Sequence, residues 1–497
     1  MMNRLGAWFT KHPKWTCFLG GSVASLAMAP TFYWPLLIVG MWAVLYSMAG
    51  LERPKRGAWC TFAFGMGFFI FGLYWIANAL LIKIEDYWWV MGLSIFGLPL
   101  LLSICWFIAG WVCVKLTKPH TLARSFLFMA LLGLAEYGRA YNLTGFPWNL
   151  FGYSWGFSLP MMQFASIGGA YGLTALTIFW AALPFLLWQA RGYKKVQAVF
   201  AIVGGLSLIS CFAYGYARLS SHPTEYRDDV GVAVIQPNIT QDEKWEPEKA
   251  LEHFLRHVDL MKQANVEFDA MTPAPKTVAY VWPETSIDES LFLGVPDAPR
   301  SLLNAMTGHA YTPTVISGFW REQGRNAKNR PNYYNSVAGI VISDNKLKLD
   351  TMYDKHHLVP FGEFLPMEQL LDLTPVAGFA GFQWGPGPRV QQSSVVPPYG
   401  VMICFEAIFP WYAKGEGDEW IVNTSNDGWY GDTPGPYQHL TMTRFRAAEQ
   451  GKPIARAATT GISALIDPYG RVVGKKPYQE QGFIVSKLPK PTDDPTI

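Results

Sequence analysis

Apolar residues are distributed in two unlike ways along this chain. Between Trp15 and Leu219 they form long runs at roughly 15–29, 31–50, 58–82, 88–114, 122–140, 160–190 and 196–217. Most reach the ~20 residues that a helix needs to cross a bilayer. The first is short and is interrupted by Pro30, so it reads as a re-entrant or tightly paired segment. A cleavable leader is disfavoured, because a second apolar run follows at once with no small-residue cleavage site between them. After Leu219 the runs become short and β-branched: Val230–Gln236, Thr277–Trp282, Thr314–Gly318, Ser336–Ile342, Gly400–Phe405, Trp420–Asn423 and Ile462–Asp467. Helical stretches lie between several of them, notably Pro247–Ala264 and Gln438–Gln450. Continuous apolar strands alternating with helices predict a sheet covered on both faces. The chain is therefore expected to hold an α-helical polytopic membrane domain of about seven spans over residues 1–219 and an α/β domain over residues 220–497.

Composition agrees with that division, and charge orients it. Half of the 497 residues are hydrophobic and 21 are tryptophan, too apolar for a wholly soluble protein. Basic residues cluster in alternate loops: Arg4, Lys11 and Lys14; Arg53, Lys55 and Arg56; Lys115, Lys118 and Arg124; Arg191, Lys194 and Lys195. The intervening loops hold only Lys83, beside Glu85 and Asp86, and Arg139. Cytoplasmic loops carry the excess of Lys and Arg, so the N-terminus and these four clusters face the cytoplasm and everything after Leu219 lies outside it. The net charge of +3 gives no reason to invoke nucleic acid.

The candidate chemistry lies in the second half. Cys404 is the only cysteine after residue 218 and ends the apolar run Val401-Met402-Ile403, with Glu406 two residues on. A lone thiol at a strand end reads either as a nucleophile or as a small buried hydrophobe. Val278–Trp282 followed by Pro283 delivers Glu284 at the end of another strand, and the loop Tyr353–Glu363 presents Lys355 and Glu363. Singly, Glu284 and Lys355 read as a surface ion pair and Glu363 as a solvated loop residue. Together they meet the needs of a thiol enzyme: a carboxylate base to deprotonate the thiol, and an ammonium aided by a backbone N–H to hold an oxyanion. His356, His357 and His439 form no zinc pattern, so neither a metal nor another cofactor is expected.

Trp282-Pro283-Glu284, Lys355 with His357–Glu363, and Cys404-Phe405-Glu406 resemble the Glu-Lys-Cys segments of the nitrilase, or carbon–nitrogen hydrolase, superfamily. More narrowly, the chain resembles its membrane-bound branch, the apolipoprotein N-acyltransferase family. The resemblance extends to Thr144-Gly145-Phe146-Pro147-Trp148, Gly152-Tyr153-Ser154, Gln236-Pro237-Asn238, Trp245, Asn426-Asp427-Gly428-Trp429 and Gln438-His439 through Arg444, Arg446 and Glu449. It implies an α-β-β-α sandwich for the second domain, placed in the periplasm and tethered to a bacterial inner membrane. It also implies a phospholipid acyl donor, a Cys404 thioester, and a diacylated apolipoprotein as acceptor. Glu284 would be the base, Lys355 the oxyanion partner, and Glu363 and Glu406 would orient the lysine and tune the site. Trp245 would sit on an arm near the acyl or lipoprotein entrance.

Phe146 and Trp148 in Thr144–Trp148 read as lining a lipid entrance or as part of an interfacial aromatic belt. Phe364–Trp384 reads as an apolar lid or as ordinary packing. The family resemblance leads one to expect a further span after the catalytic domain. None is visible in Gly482–Ile497, which fits a member that lacks it or a shortened chain. Phe405 stands where well-known members carry Tyr, which alters one hydrogen bond without removing the thiol chemistry. A membrane-tethered amidase hydrolysing a small amide would use the same Cys404, Glu284 and Lys355. A transporter would place ionisable residues within its spans, yet Glu136 and Arg139 are nearly the only charges near one, at its outer end and at a spacing that allows them to pair on a helix.

Overall fold

The computed structural model describes residues 11–497 except 82–84, 86–90, 326–328, 330, 365–380, 414, 494–495 and 497. Two compact units emerge: Met1–His222 with Asp432–Thr441, and Pro223–Gly431 with Met442–Thr496. The break at His222 lies three residues beyond the change in composition at Leu219. Residues 432–441 group with the helical unit, which no compositional signal announces.

The helical unit contains α1 (Pro13–Ala24), α2 (Pro35–Ala49), α3 (Pro54–Leu73), α4 (Met91–Leu116), α5 (Leu122–Gly138), α6 (Ala165–Gln189) and α7 (Lys194–Ser221). Proline opens α1, α2 and α3, where its missing N–H costs nothing and its fixed φ suits a helix start. Among the described residues, four helical stretches are long and apolar enough to cross a membrane: Pro54–Leu81, Met91–Leu116, Ala165–Gln189 and Lys194–Ser221. On α7, Ile202, Leu206 and Ile209 are 58%, 59% and 65% exposed, an apolar face that suits lipid and not water. The short first run forms α1 and a 3₁₀ turn at Ser25–Ala27 before Pro30.

Polar groups inside this unit are paired. Glu136 and Arg139 form the expected i, i+3 pair at 2.8 Å, and Trp106 Nε1 donates to the same carboxylate at 3.0 Å. Gln438 Oε1 accepts from the indoles of Trp148 at 2.8 Å and Trp75 at 3.1 Å, and its amide donates to the carbonyls of Ala29 and Gly72. The backbones of α1 and α3 approach closely through two glycines. A Cβ on Gly21 would lie 1.9 Å from the Phe64 carbonyl oxygen, and one on Gly67 would lie 2.0 Å from that of Phe18.

The α/β unit holds twelve strands: β1 (Tyr226–Gln236), β2 (Thr277–Val281), β3 (Ile287–Asp288), β4 (Thr312–Arg325), β5 (Pro331–Ser343), β6 (Lys346–Asp354), β7 (Tyr399–Ile403), β8 (Trp420–Ser425), β9 (Ile454–Ala458), β10 (Ser463–Ile466), β11 (Val472–Lys476) and β12 (Gly482–Pro489). They form one sheet in the order β12-β1-β2-β4-β5-β6, with β3 beside β4, and a second in the order β11-β10-β9-β8-β7. Four of the seven strand runs read from the sequence fall within β1, β4, β5 and β8, and the other three overlap β2, β7 and β10 and overrun them by one or two residues.

Alternation along each strand builds the layers. Val230, Val232 and Val234 of β1 and Ala279 and Val281 of β2 pack with Val401 and Ile403 of β7 and Val422 of β8 in a core between the sheets. The opposite faces of β1 and β2, through Ala233, Ile235, Val278 and Tyr280, pack on α8 (Ala250–Asp269) and α9 (Asp297–Met306). Within this unit, residues 442–450 of α10 (Gly435–Gln450) adjoin the outer side of the second sheet, where Thr443 Oγ1 accepts from Arg456 of β9. The order of layers is thus α-β-β-α. Most of the lid candidate Phe364–Trp384 lies outside the described residues, although the rings of Phe364 and Trp384 themselves pack 5.1 Å apart.

Replacing Gly67 with Val is expected to force α1 and α3 apart and destabilise the protein by about 1–3 kcal/mol. Gly133→Ala, whose new Cβ would meet nothing within 4 Å, is expected to leave stability unchanged or slightly improved. Thermal unfolding in detergent, followed by tryptophan fluorescence, checks both. Equal melting temperatures for the two variants would contradict the close helix crossing.

Candidate active site

Strand alternation carries the functional side chains off the ends of the inner-face rows. Tyr353 belongs to the inter-sheet core, so Lys355, two residues on, continues that face beyond the end of β6. Asn335 stands in the same relation to Val337 on β5. Glu284 follows β2 through Pro283, and its turn is pinned by Gly318 N donating to Pro283 O at 3.1 Å and Ser286 N donating to Gly318 O at 3.0 Å. Gly318 is required there: a Cβ would lie 2.3 Å from Pro283 O and 2.5 Å from Glu284 Cα. Cys404 follows β7 and adopts φ 48°, a left-handed conformation that β-strand neighbours do not share and that turns the thiol off the strand.

These residues meet in a buried site. Lys355 Nζ lies 2.9 Å from Glu363 Oε1 and 3.3 Å from Glu284 Oε1, and Lys355, Glu284, Glu363 and Cys404 are all buried. Asn335 Nδ2 bridges the two carboxylates, at 2.7 Å from Glu284 Oε1 and 2.9 Å from Glu363 Oε1. Glu363 Oε2 also accepts from Val359 N at 2.8 Å, which closes its own loop. Glu406 makes no ion pair with Lys355. Its carboxylate accepts from the backbone N–H groups of Ile403, His356 and His357 and from the Tyr353 hydroxyl, at 2.8 to 3.1 Å. It thereby ties the Cys404 turn to the start of the Lys355 loop, a bracing part that differs from direct orientation of the lysine.

The electrostatics favour a neutral thiol beside an ionised carboxylate. Burial pushes the Cys404 thiol up to about 12, helped by Glu284 and opposed by Lys355. For Glu284, burial is outweighed by the ammonium groups of Lys355 and Lys244 and by the Asn335 bond, so its carboxyl is held below the usual value. Burial acts to lower Lys355, but Glu284 and Glu363 prevail and its ammonium is held above the usual range. At neutral pH the site therefore holds a thiol, two carboxylates and a fixed ammonium. That combination suits nucleophilic attack with proton transfer to Glu284 as the carbon–sulfur bond forms.

The remaining candidates occupy different settings. Trp245 is 40% exposed, on the segment between β1 and α8. Trp148 is 1% exposed, with its indole N–H tied to Gln438 and Phe146 stacked on it at 5.8 Å. Its ring is thus interior packing of the helical unit, and only the half-buried Phe146 presents surface. Among the described residues, no group of three or more His, Cys, Asp or Glu side chains is placed to hold a metal ion.

Residues 20–183 match the family model of the apolipoprotein N-acyltransferase N-terminal domain, and residues 231–492 match that of carbon–nitrogen hydrolase. Among curated proteins, the apolipoprotein N-acyltransferase of Allorhizobium ampelinum is 35% identical over 95% of this chain and 89% of its own length. The chain belongs to the apolipoprotein N-acyltransferase family. The Rickettsia bellii apolipoprotein N-acyltransferase is 32% identical over 98% of this chain and 93% of its own. Among solved structures, an amidase from Nesterenkonia sp. aligns with a TM-score of 0.36 and 16% identity, over 54% of this chain and 94% of that one, a likeness too slight to bear on activity.

Two side chains at the candidate site escaped the sequence reading. Asn335 sits in the polar pair Asn335-Ser336 that interrupts an apolar strand, a signal visible only once the face of β5 is known. Lys244 precedes Trp245, and its Nζ donates to the Glu284 carbonyl oxygen at 2.8 Å. Asn335→Leu is expected to destabilise the protein by about 3–6 kcal/mol at pH 7, since it removes two hydrogen bonds to buried charges, each worth ~1.5–3 kcal/mol. Glu284's folded-state carboxyl titrates below its unfolded value, so its contribution is full above the unfolded value and is lost as pH falls through the lowered one. The variant's deficit in urea unfolding should therefore shrink in acid. A deficit that grows on acidification would contradict an ionised Glu284.

Proposed function

We propose that this chain moves an acyl chain from a phospholipid, through a Cys404 thioester, to the N-terminal α-amine of the diacylglyceryl-cysteine of an apolipoprotein. In the first half, Cys404 Sγ attacks the ester carbonyl carbon while its proton passes to Glu284. The Lys355 ammonium, with a backbone N–H, holds the oxyanion. Collapse expels the lysophospholipid alkoxide, which takes the proton from Glu284 and leaves the thioester. In the second half the acceptor amine attacks the thioester carbon, Lys355 again holds the oxyanion, and Glu284 takes a proton from the attacking nitrogen and passes it to the departing sulfur. A thioester is more readily attacked by an amine than the parent oxygen ester, so the division lowers each barrier.

The observation that carries this reading is the buried arrangement of thiol, ionised Glu284 and Lys355 in a chain of this family. Glu363 and Asn335 hold Lys355 and Glu284 in register, and Glu406 braces the nucleophile's turn. The site is placed on the periplasmic side of a bacterial inner membrane, anchored by about seven spans, which suits the loop charges and the apolar face of α7. Trp245 and Phe146, each within its own unit, are assigned to the approach of substrate lipid. Hydrolysis of a small amide would require the same triad, but it gives no role to the exposed apolar face of α7.

Intact mass after incubation with a defined phosphatidylethanolamine tests the reading. The native chain should gain one acyl group, discharged by a diacylglyceryl-cysteine peptide. Cys404→Ala should gain none, and Glu284→Gln should acylate ~10²–10⁴-fold more slowly. With the thiol at about 12 and Glu284 already ionised, the acylation rate should be flat across neutral pH. A folded native protein that never acquires an acyl group from any phospholipid would sink the proposal.

A further inference from the structure

The reaction above leaves one proton without an acceptor. The α-amine of a peptide arrives largely as an ammonium and must shed one proton before it can attack and a second as the amide forms. Glu284 accounts for the second, which it passes to Cys404 Sγ. Lys355 cannot take the first, because the two carboxylates that grip it hold its proton firmly. An amine acceptor therefore needs a second base, and the phospholipid half of the reaction does not.

Lys244 lies where such a base is needed. It reaches the site from the segment joining β1 to α8, next to the exposed Trp245, and its Nζ donates to the Glu284 carbonyl oxygen at 2.8 Å. That bond uses one position on the nitrogen, and no other hydrogen bond to Nζ is made among the described residues. The titratable groups acting on it from neighbouring elements are Glu284 after β2 and Cys404 after β7. His257 on α8 also feels its charge, but burial pushes that imidazole down to about 3 and keeps it neutral. Burial pushes the Lys244 ammonium down to about 8, with Glu284 and Cys404 pulling the other way. A lysine of that kind exchanges a proton with a peptide α-amine at little cost, whose ordinary value is ~7.7–8.0.

We infer that Lys244 is the base of the second half-reaction: its neutral amine takes one proton from the acceptor's α-ammonium inside the site. The step balances as acceptor R–NH₃⁺ plus Lys244–NH₂ giving R–NH₂ plus Lys244–NH₃⁺. The free amine then attacks the thioester carbon, the carbon–sulfur bond breaks, and the amine's second proton reaches Sγ through Glu284. The net products are the amide, the Cys404 thiol and a proton on Lys244, which is released to solvent before the next turnover. This rests on the thioester route proposed above.

Lys244→Arg separates this role from a structural one. Arginine keeps a donor for the Glu284 carbonyl and a positive charge, but it does not deprotonate in this pH range. Thioester formation from phosphatidylethanolamine and its discharge are measured separately by intact mass. The expected result is acylation within about threefold of native, with discharge by a diacylglyceryl-cysteine peptide slowed ~10-fold at pH 7, since about a tenth of the acceptor is already free amine there. Discharge by methoxyamine, which is already neutral at pH 7, should be native-like. The peptide deficit should also close as pH rises and the acceptor deprotonates in solution. Native discharge by the peptide, an equal loss with methoxyamine, or failure of Lys244→Arg to acylate where the native protein does would each overturn the inference. Absence of a thioester on the native protein would instead overturn the acyl-transfer route itself.

Discussion

A single ammonium, Lys355 Nζ, held between the carboxylates of Glu284 and Glu363 and shut away from water, organises the site. Removing three charged groups from water is costly, and the arrangement persists because hydrogen bonds satisfy what the ion pairs leave over. Asn335 gives its two amide hydrogens to the two carboxylates, and Val359 N supports Glu363. Two carboxylates against one ammonium would leave net negative charge beside a thiol that must shed a proton. A second ammonium, Lys244 while it holds its proton, brings the count to two against two. Each positive charge lowers Glu284, and neither suffices to ionise Cys404 against its burial.

The sandwich exists to hold these groups still. Their side chains leave the ends of strands whose inner faces form one apolar core, so a shift of any inner-face row would move a functional group with it. Glu406 shows the same logic at the backbone. Four donors from three segments converge on a carboxylate with no exposure, fixing the turn in which Cys404 takes its left-handed conformation. Strain of this kind persists where the surroundings over-determine it.

Much of this was legible in the amino-acid sequence, and the rest was hidden for identifiable reasons. The apolar runs announced the helices, because spanning a bilayer demands length and composition that little else does. The strands that alternate few charges with β-branched residues were equally plain. β6, Lys346–Asp354, was missed because its lysines and aspartate mimic a solvated loop, and β9 because Arg456 interrupts it. Arg456 is fully buried against Asp427 at 2.6 Å, a pairing across 29 positions that no local pattern reveals. Glu284, Lys355 and Cys404, which the fold brings together, were legible as candidates because each ends an apolar run or sits in a punctuated loop. Asn335 and Lys244 were not, since their meaning comes from partners 51 and 40 residues away. The grouping of Asp432–Thr441 with the helical unit, through the fully bonded amide of Gln438, had no signature beyond a glutamine at a helix start.

The claim on which the chemistry turns is that Cys404 rests as a neutral thiol while Glu284 is ionised. Difference infrared spectroscopy of the S–H stretch, native protein minus Cys404→Ser, reads that state at the one position that differs. The band should be present from mildly acidic pH through neutrality and vanish only in strong alkali, in keeping with a thiol pushed up to about 12. Absence of the band at pH 7 would show a resting thiolate paired with Lys355, and Glu284 would then have no proton to take.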